Sequence, residues 1–370
     1  MKSLILFSII VACGFVENVV SDNNQFPYKT ILNFGDSVSD TGNSVTKEPF
    51  GANSPYGSTY FKHPAGRMSN GRLIIDFIAK AYGLPFLPAY LNLTKGQHVK
   101  QGVNFAFSGS TALDKSFFDQ RGLDVPKAAY GLSTQFEWFQ KLKPSLCTGK
   151  EDCATFFNNT LVLVGEIGGN DINAIIPRKN LTEVREFVPH IVQAIANMTS
   201  KLIEEGAVHL VVPGNFPIGC ISYVLNQVNS NKTEDFDEFG CLRNYNAAIK
   251  YYHDQLKTAV DELRQKNPHV IITYFNYYSA ARRLFENPEQ YGFKGKPDTF
   301  KVCCGKGGRY NLNEICGLGN SVVCEEPSKH INWDGFHLTE AGYRAVAQGL
   351  LEGPYATPPL KTPPFKIPKE

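Results

Sequence analysis

Short apolar runs that alternate with longer helical stretches narrow the possible folds of this chain more than any other feature. The five runs, rich in β-branched and aromatic residues, cover 30–34, 102–107, 161–167, 208–212 and 270–275. Most of them lack polar–apolar alternation, as is typical of strands buried on both faces. Between them, 70–82, 184–204 and 242–266 carry apolar residues at helical spacing, and Thr339 can cap a last helix over 340–351. We therefore predict an α/β fold with a mostly parallel central sheet of about five strands, covered by helices on both faces.

The first 21 residues have the pattern of a secretory signal peptide. Lys2 precedes a short apolar run over 4–12, and a polar patch then ends at Ser21, near which we expect cleavage. The run is shorter than the roughly 20 apolar residues that cross a bilayer, and no later stretch approaches that length. An amphipathic start to the fold is the alternative. Because the sequence contains neither an internal repeat nor a Gly/Ser linker, we predict one domain over 22–370 with a Pro-rich, extended tail after Gly353.

Cysteine usage fits passage through an oxidising compartment. Cys13 lies in the predicted signal peptide, and eight cysteines remain, an even number that suggests disulfides. Two local pairs are plausible, Cys147–Cys153 and Cys220–Cys241. The last four can pair in more than one way or bind zinc; they are Cys303, Cys304, Cys316 and Cys324. Zinc is the weaker alternative, because adjacent cysteines do not match the usual ligand spacing.

Glycosylation signals and net charge bear on location and partners. Five Asn-x-Ser/Thr sequons occur, at Asn92, Asn158, Asn180, Asn197 and Asn231. Behind a signal peptide, they predict a secreted glycoprotein. The formal net charge is only +2, without a block of like charges, which argues against nucleic acid as a main partner.

Ser37 is the candidate nucleophile. Ligands of parallel sheets bind at the carboxyl ends of the strands, and Ser37 follows the first predicted strand in Phe34-Gly35-Asp36-Ser37. Gly35 permits the tight turn that would hold it there. A serine hydroxyl becomes a strong nucleophile only when a base removes its proton. Helix capping by Asp36 and Ser37 is the alternative interpretation.

His337 is the candidate base. It precedes the last predicted helix, and Asp334 stands three residues earlier in the same loop. A turn of that length can bring the carboxylate to the imidazole, where it would fix the tautomer and stabilise the imidazolium. The other seven histidines lack such surroundings and are interpreted as structural or surface groups.

Two further strand ends could supply an oxyanion hole. Gly109, in the segment 104–110, can offer a backbone N–H, and Asn170, in Gly168-Gly169-Asn170-Asp171, can offer a side-chain N–H. Donors aimed at developing negative charge are each worth roughly 10²–10³ in rate. An ordinary turn and a helix cap are the alternatives for the segment that contains Asn170.

Together these segments resemble the four blocks of the GDSL, or SGNH, family of esterases and lipases, in particular its plant branch. The Ser, Gly, Asn and His of those blocks match Ser37, Gly109, Asn170 and His337, and the plant pattern continues over 38–43, 213–220 and 332–341. The resemblance covers nearly all of the mature chain. Val38 replaces the family's leucine and Ser108 a common glycine, and neither change removes a catalytic group. The resemblance implies a flavodoxin-like, three-layer α/β/α sandwich.

The resemblance also implies a carboxylic ester hydrolase that uses no metal or organic cofactor. Ser37 would attack the ester carbonyl, His337 would take its proton and later protonate the leaving alcohol, and Asp334 would orient His337. The N–H groups of Ser37 and Gly109 and the Asn170 side chain would hold the oxyanion. We expect a monomer, in the apoplast or in a vacuole reached through the secretory pathway.

Other functions and the substrate remain open. An acyltransferase would use the same residues, a binding protein for glycans or lipids would leave them silent, and a glycosidase would pair Asp36 with Asp171. Within the family, similarity to the group of sinapine esterase and acetylajmalan esterase favours small esters of plant specialised metabolites, such as alkaloid or phenolic esters. Four aromatic residues could line a pocket, although burial in the core is the stronger interpretation; they are Phe117, Phe118, Trp138 and Phe139.

Overall fold

The structure is a computed structural model, and it describes residues 27–49, 51, 54–176 and 181–360. The predicted signal peptide, the sequon at Asn180 and the end of the predicted tail lie outside the described residues. The other four sequon asparagines are exposed; they are Asn92, Asn158, Asn197 and Asn231. Within the described part, none of the helices combines the length and apolarity needed to cross a membrane.

The described residues form nine strands and ten α-helices. The strands are β1 Thr30–Asn33, β2 Gly102–Asn104, β3 Thr160–Leu163, β4 His209–Pro213, β5 Ile271–Phe275, β6 Cys304–Lys306, β7 Glu314–Ile315, β8 Val322–Val323 and β9 Ala356–Thr357. The helices are α1 Ile74–Ala81, α2 Lys115–Asp119, α3 Leu132–Leu146, α4 Gly149–Asn158, α5 Gly169–Ile175, α6 Leu181–Glu204, α7 Ser222–Val228, α8 Arg243–Lys266, α9 Tyr277–Glu286 and α10 Glu340–Leu351.

The central sheet has six strands in the order β2-β1-β3-β4-β5-β9. Its first five strands are parallel, and β1 pairs in register with both neighbours, so that Leu32 lies opposite Val103 and Val162. Strands β1, β2 and β3 are buried along their whole length, which explains their continuous apolar sequence. The predicted α/β class and mostly parallel sheet are confirmed. The strand order reverses between β1 and β3, as in flavodoxin-like sheets, and such a switch point is where ligands bind.

A sixth strand, β9, extends the central sheet from within the predicted tail. Ala356 and Thr357 pair antiparallel with Phe275 and Tyr274 of β5. A two-residue strand is too short to leave a periodic pattern in the sequence. Its pairing covers the backbone of β5, which would otherwise be an open sheet edge.

Helices surround the sheet in two packed groups. In one, α6 packs against α3, α5 and α8, and in the other, α10 packs against α1 and α9. Helix α8 shows the sequence cause, because its buried residues recur every three or four positions; they include Ile249, Tyr252, Leu256, Val260 and Leu263. Helix α2 was not predicted, because its five residues are too few for a helical stripe to be recognised in the sequence.

All eight cysteines after Cys13 are paired. Both predicted local pairs are present, Cys147–Cys153 and Cys220–Cys241. The remaining pairs are Cys303–Cys324 and Cys304–Cys316, which tie together the small sheet of β6, β7 and β8. The zinc alternative is therefore wrong for these four cysteines, because their sulfurs are joined to each other.

Candidate active site

Ser37 lies in a tight turn directly after β1, at the switch point of the sheet. Gly35 has a φ of +145°, and a Cβ there would lie 2.8 Å from Ser39 Oγ and 3.0 Å from the Glu166 carbonyl oxygen, so only glycine fits. The buried side chain of Gln135 accepts a hydrogen bond from the Gly35 N–H (2.9 Å) and donates one to the Gly35 carbonyl (2.8 Å). The turn that presents Ser37 is therefore fixed by its backbone.

A closed loop before α10 brings a carboxylate and an imidazole to Ser37. The Trp333 N–H donates to the His337 carbonyl (2.8 Å), and Asp334 Oδ1 accepts from the backbone N–H groups of Phe336 (2.7 Å) and His337 (2.8 Å). This folding of the loop leaves His337 Nδ1 2.9 Å from Asp334 Oδ2 and His337 Nε2 2.8 Å from Ser37 Oγ. The spacing of three residues thus gives the geometry of a Ser-His-Asp triad.

Tyr56 is a fourth member of this hydrogen-bonded chain that the sequence did not indicate. Its hydroxyl donates to Asp334 Oδ2 at 2.7 Å, the same oxygen that faces the imidazole of His337. Its ring packs edge-on against Trp333, with the ring centroids 6.1 Å apart. Because Tyr56 lies in a long segment without periodic pattern, no sequence signal could have singled it out.

Burial and charge act against each other on the pKa values of this pair. Burial by itself raises the pKa of Asp334, but the charge and hydrogen bond of His337, with hydrogen bonds from Tyr56 and Phe336, outweigh it and lower that pKa. Burial likewise opposes protonation of His337, while the Asp334 carboxylate more than offsets it and raises the pKa of His337. The pair therefore stabilises an imidazolium, the form that His337 takes after accepting a proton.

Two residues that line the cavity at the candidate nucleophile have backbone N–H groups without an acceptor among the described residues. These N–H groups belong to Ser37 and Gly109, and neither donates to an atom of the residues that the structure describes. Gly109 has a φ of +82°, in the left-handed region that favours glycine. The neighbouring Ser108 N–H donates to Asp40 Oδ2 (2.9 Å), which ties this loop to the segment that follows Ser37.

The family model of the GDSL-like lipases and acylhydrolases matches residues 31–350. The chain belongs to this family. A GDSL esterase/lipase of Arabidopsis thaliana is 45% identical over 94% of this chain and 97% of its own length. The sinapine esterase of Brassica napus is 43% identical over 97% of this chain and 94% of its own length. The predicted resemblance is thereby confirmed, and this GDSL family member is a carboxylic ester hydrolase.

Solved structures also match, at much lower similarity. An acetylxylan esterase of Geobacillus stearothermophilus is 13% identical, with a TM-score of 0.39 over 89% of this chain and 95% of the other. A phospholipase A1 of Streptomyces albidoflavus is 14% identical, with a TM-score of 0.37 over 86% of this chain and 95% of the other.

In this GDSL hydrolase, Asn170 is held by the protein itself. Its side-chain Nδ2 donates to Asp36 Oδ2 (3.0 Å) and to the Ser110 carbonyl (2.9 Å). Asp36 in turn shares a hydrogen bond with Glu166, and burial raises the pKa of both carboxyl groups. Asn170 lines the same cavity as Ser37, but to reach a substrate oxygen it would have to share an N–H with these acceptors.

A cavity of about 200 Å³ opens beside Ser37 and His337 in this GDSL hydrolase. Its further lining includes Gly109, Asn170, Glu166, Asn215, Phe216 and Phe336. The interpretation of the four aromatic residues as core is correct, because Phe118 and Phe139 are fully buried and Phe117 and Trp138 pack against the core. Sequence reasoning missed the buried side chain of Asn215, although it follows β4 and the rule of strand ends could have found it.

Proposed function

We propose that this protein is a secreted serine esterase that hydrolyses carboxylic esters of small molecules through an acyl-enzyme on Ser37. The observation that carries the proposal is the continuous hydrogen-bonded chain from Ser37 Oγ to His337 Nε2 (2.8 Å) and from His337 Nδ1 to Asp334 (2.9 Å). A serine in such a chain can lose its proton as it attacks, which is what the hydroxyl needs to become a nucleophile.

The reaction would proceed in two halves. Ser37 Oγ attacks the ester carbonyl carbon while His337 Nε2 accepts its proton, and the imidazolium then protonates the leaving alcohol. Water attacks the acyl-enzyme in the second half, His337 again accepts a proton, and the acid leaves with Ser37 restored. Asp334 keeps the proton of His337 on Nδ1, so that Nε2 is the nitrogen that faces Ser37.

The oxyanion would be held by the N–H groups of Ser37 and Gly109, with Asn170 as a third donor. The first two N–H groups have no competing acceptor among the described residues and need no rearrangement. The Asn170 amide would weaken its hydrogen bond to Asp36 or to Ser110 as it turns toward the oxyanion.

The substrate we propose is a small ester of a plant specialised metabolite, such as an alkaloid or phenolic ester. A cavity of about 200 Å³ fits a short acyl group better than a long fatty chain. Phe336, 42% exposed, stacks near Tyr223 with the ring centroids 4.2 Å apart, which offers an aromatic rim to a leaving alcohol. The relative named sinapine esterase supports an ester of this class.

Secretion is proposed on the sequence pattern of 1–21, on the four exposed sequons and on the four disulfides. Disulfides persist in oxidising compartments such as the secretory pathway and the extracellular space. We place the mature protein in the apoplast or in a vacuole.

A fluorophosphonate probe combined with a serine substitution tests the proposed nucleophile. The wild-type protein should carry one adduct, on Ser37, and should turn over p-nitrophenyl acetate. Ser37→Ala should lose both the adduct and at least 10³-fold of the turnover. Ser39→Ala, in the same buried turn, is the matched control and should keep both. A folded Ser37→Ala protein with turnover near the wild-type rate would overturn the proposal.

A further inference from the structure

Asn215 carries a buried amide that the protein leaves without a partner. It lies two residues beyond β4, it is 0% exposed, and it lines the same cavity as Ser37 and His337. Neither its Oδ1 nor its Nδ2 has a hydrogen-bond partner among the residues that the structure describes. A buried amide without a hydrogen-bond partner destabilises the folded protein, so native proteins rarely contain one without a use.

The backbone at Asn215 is fixed from behind. His253 Nε2 lies 3.0 Å from the Asn215 carbonyl oxygen, and His253 Nδ1 is hydrogen-bonded to the Tyr274 hydroxyl. Burial lowers the pKa of His253 to about 4, so the ring is neutral at ordinary pH, with Nε2 donating to Asn215 and Nδ1 accepting from Tyr274. The amide of Asn215 is thus presented by a rigid backbone rather than by a loose loop.

The Asn215 amide lies on the oxyanion side of the site. A Cβ built on Gly168 would be 3.4 Å from Asn215 Nδ2, and one built on Gly169 would be 3.4 Å from Asn215 Oδ1. The amide therefore packs over the two residues that precede Asn170. The leaving alcohol, in contrast, is expected on the side of His337, where the exposed Phe336 forms the rim.

We propose that Asn215 selects the acyl group: it donates a hydrogen bond to an ether or hydroxyl oxygen on the second or third carbon of a short acyl chain. This inference rests on the proposed function of the same site. The cavity of about 200 Å³ limits the chain to a few heavy atoms, and a buried donor rejects an isosteric chain that lacks the oxygen. The substrate class is thus narrowed to esters of short alkoxy or hydroxy acids.

Two matched p-nitrophenyl esters test the proposal. Methoxyacetate and butyrate have acyl chains of the same length that differ only by an ether oxygen in place of a methylene. The methoxyacetate ester is intrinsically more reactive, so the quantity to compare is the ratio of kcat/KM for the two esters in each variant. The ratio of methoxyacetate to butyrate in the wild type, divided by the same ratio in Asn215→Leu, no longer contains that difference in reactivity. This quotient should be at least about 10. Asn173→Leu, in the lining of the same cavity, is the control and should leave the ratio within about twofold.

A second pair of esters assigns the side of the site. n-Butyl butyrate and 2-methoxyethyl butyrate place the same exchange in the alcohol, and their ratio should not change in Asn215→Leu. The proposal would be overturned if the methoxyacetate-to-butyrate ratio of kcat/KM were the same in the wild type and in Asn215→Leu. It would also be overturned if only the ratio for the two butyrate esters changed. Asn215→Ala gives the same comparison should the leucine variant fail to fold.

Fluorophosphonate labelling separates this inference from the proposed function. A wild-type protein that is folded but takes no label and hydrolyses neither ester contradicts the esterase proposal itself. A wild-type protein that is labelled on Ser37 and hydrolyses both esters, with a ratio that Asn215→Leu leaves unchanged, contradicts the role of Asn215 alone.

Discussion

Asp334 illustrates how one side chain can orient the imidazole of the proposed triad. Its Oδ1 accepts from the backbone N–H groups of its own loop, and its Oδ2 accepts from Tyr56 and faces His337. A carboxylate with several donors stays ionised despite its burial and cannot rotate. The orientation of the imidazole is therefore set before substrate binds.

The raised pKa of His337 predicts where activity is lost in acid. As the proposed base, His337 must be neutral to accept the proton of Ser37, and Asp334 raises the pKa of His337 above its usual value of 6.5. The rate constant kcat/KM for p-nitrophenyl acetate should therefore fall as the pH drops through an apparent pKa above 6.5. A profile that is flat from pH 5 to 8, on protein that stays folded, would contradict a histidine base.

Tyr56 should act as a positioning residue for the triad. In Tyr56→Phe, kcat should fall about tenfold with KM nearly unchanged, because Asp334 loses one of the donors that fix it. The acid limb should move to higher pH, since a carboxylate with one donor fewer attracts the imidazolium proton more strongly. Tyr60→Phe, in the same segment and partly exposed, is the control and should change neither quantity. Unchanged kcat and pH profile in Tyr56→Phe would limit this residue to packing.

At the scale of elements, the turn that carries Ser37 is held in part by a distant helix. Gln135 projects from α3 and makes two hydrogen bonds with the backbone of Gly35, 100 residues away in the sequence. Strand β1 ends just before this point, and the Gly35 carbonyl there also accepts a hydrogen bond from the Phe107 N–H (3.1 Å). The Gly35 N–H is bonded to the Gln135 side chain, so the helix and the loop after β2 together hold this turn.

Removal of this support should affect both stability and reactivity. Gln135→Leu has nearly the same size but leaves the Gly35 N–H buried without its partner, whereas the Gly35 carbonyl keeps the hydrogen bond from the Phe107 N–H. The variant should lower the free energy of unfolding by about 2 kcal/mol. The rate of fluorophosphonate labelling at Ser37 should fall as well. Gln140→Leu, on the exposed face of α3, is the control for the helix. Denaturant unfolding and labelling kinetics measure the two effects, and equal values for both variants would contradict the support role.

The sequence predicts the strands and helices that have a clear apolar run or stripe. It does not predict those that form only through contacts with distant parts of the chain. Strands β1 to β5 and helices α6, α8 and α10 have long apolar runs or stripes, so they were located to within a few residues. Helix α3 was missed, although Phe136 and Phe139 are buried, because lysines and a proline weaken its stripe. Strand β9 exists only through its pairing with β5.

The residues of the candidate site likewise divide into those with a local sequence signal and those that act through distant contacts. Ser37, Gly109, Asn170 and His337 each stand at the end of a strand or the start of a helix, where the local sequence indicates a turn. Tyr56 and Gln135 act through contacts with residues 278 and 100 positions away, and no local pattern encodes such partners.

At the scale of the whole molecule, four disulfides join segments that lie outside the strands of the central sheet. Cys220–Cys241 is fully buried and closes a loop with a sequence separation of 21, whereas Cys147–Cys153 has a separation of 6 and is partly exposed. By loop-closure entropy, Cys220–Cys241 should contribute about 3 kcal/mol to the free energy of unfolding, and Cys147–Cys153 about 2 kcal/mol.

Removal of the two disulfides should therefore lower the thermal stability by different amounts. The double variant Cys220→Ala/Cys241→Ala should have a lower Tm than Cys147→Ala/Cys153→Ala, because it loses the longer loop constraint and leaves a gap in the core. Thermal unfolding of both secreted proteins measures the difference. An equal or reversed order of the two Tm values would show that loop length does not govern their contributions.

The distance in sequence between Ser37 and His337 is 300 residues. A ribosome that adds about 5–20 residues per second therefore adds Ser37 roughly 15–60 s before it adds His337. Until His337 is added, the growing polypeptide carries Ser37 without its proposed proton acceptor, so we expect it to leave esters intact. A product of translation that terminates before His337 should therefore lack esterase activity.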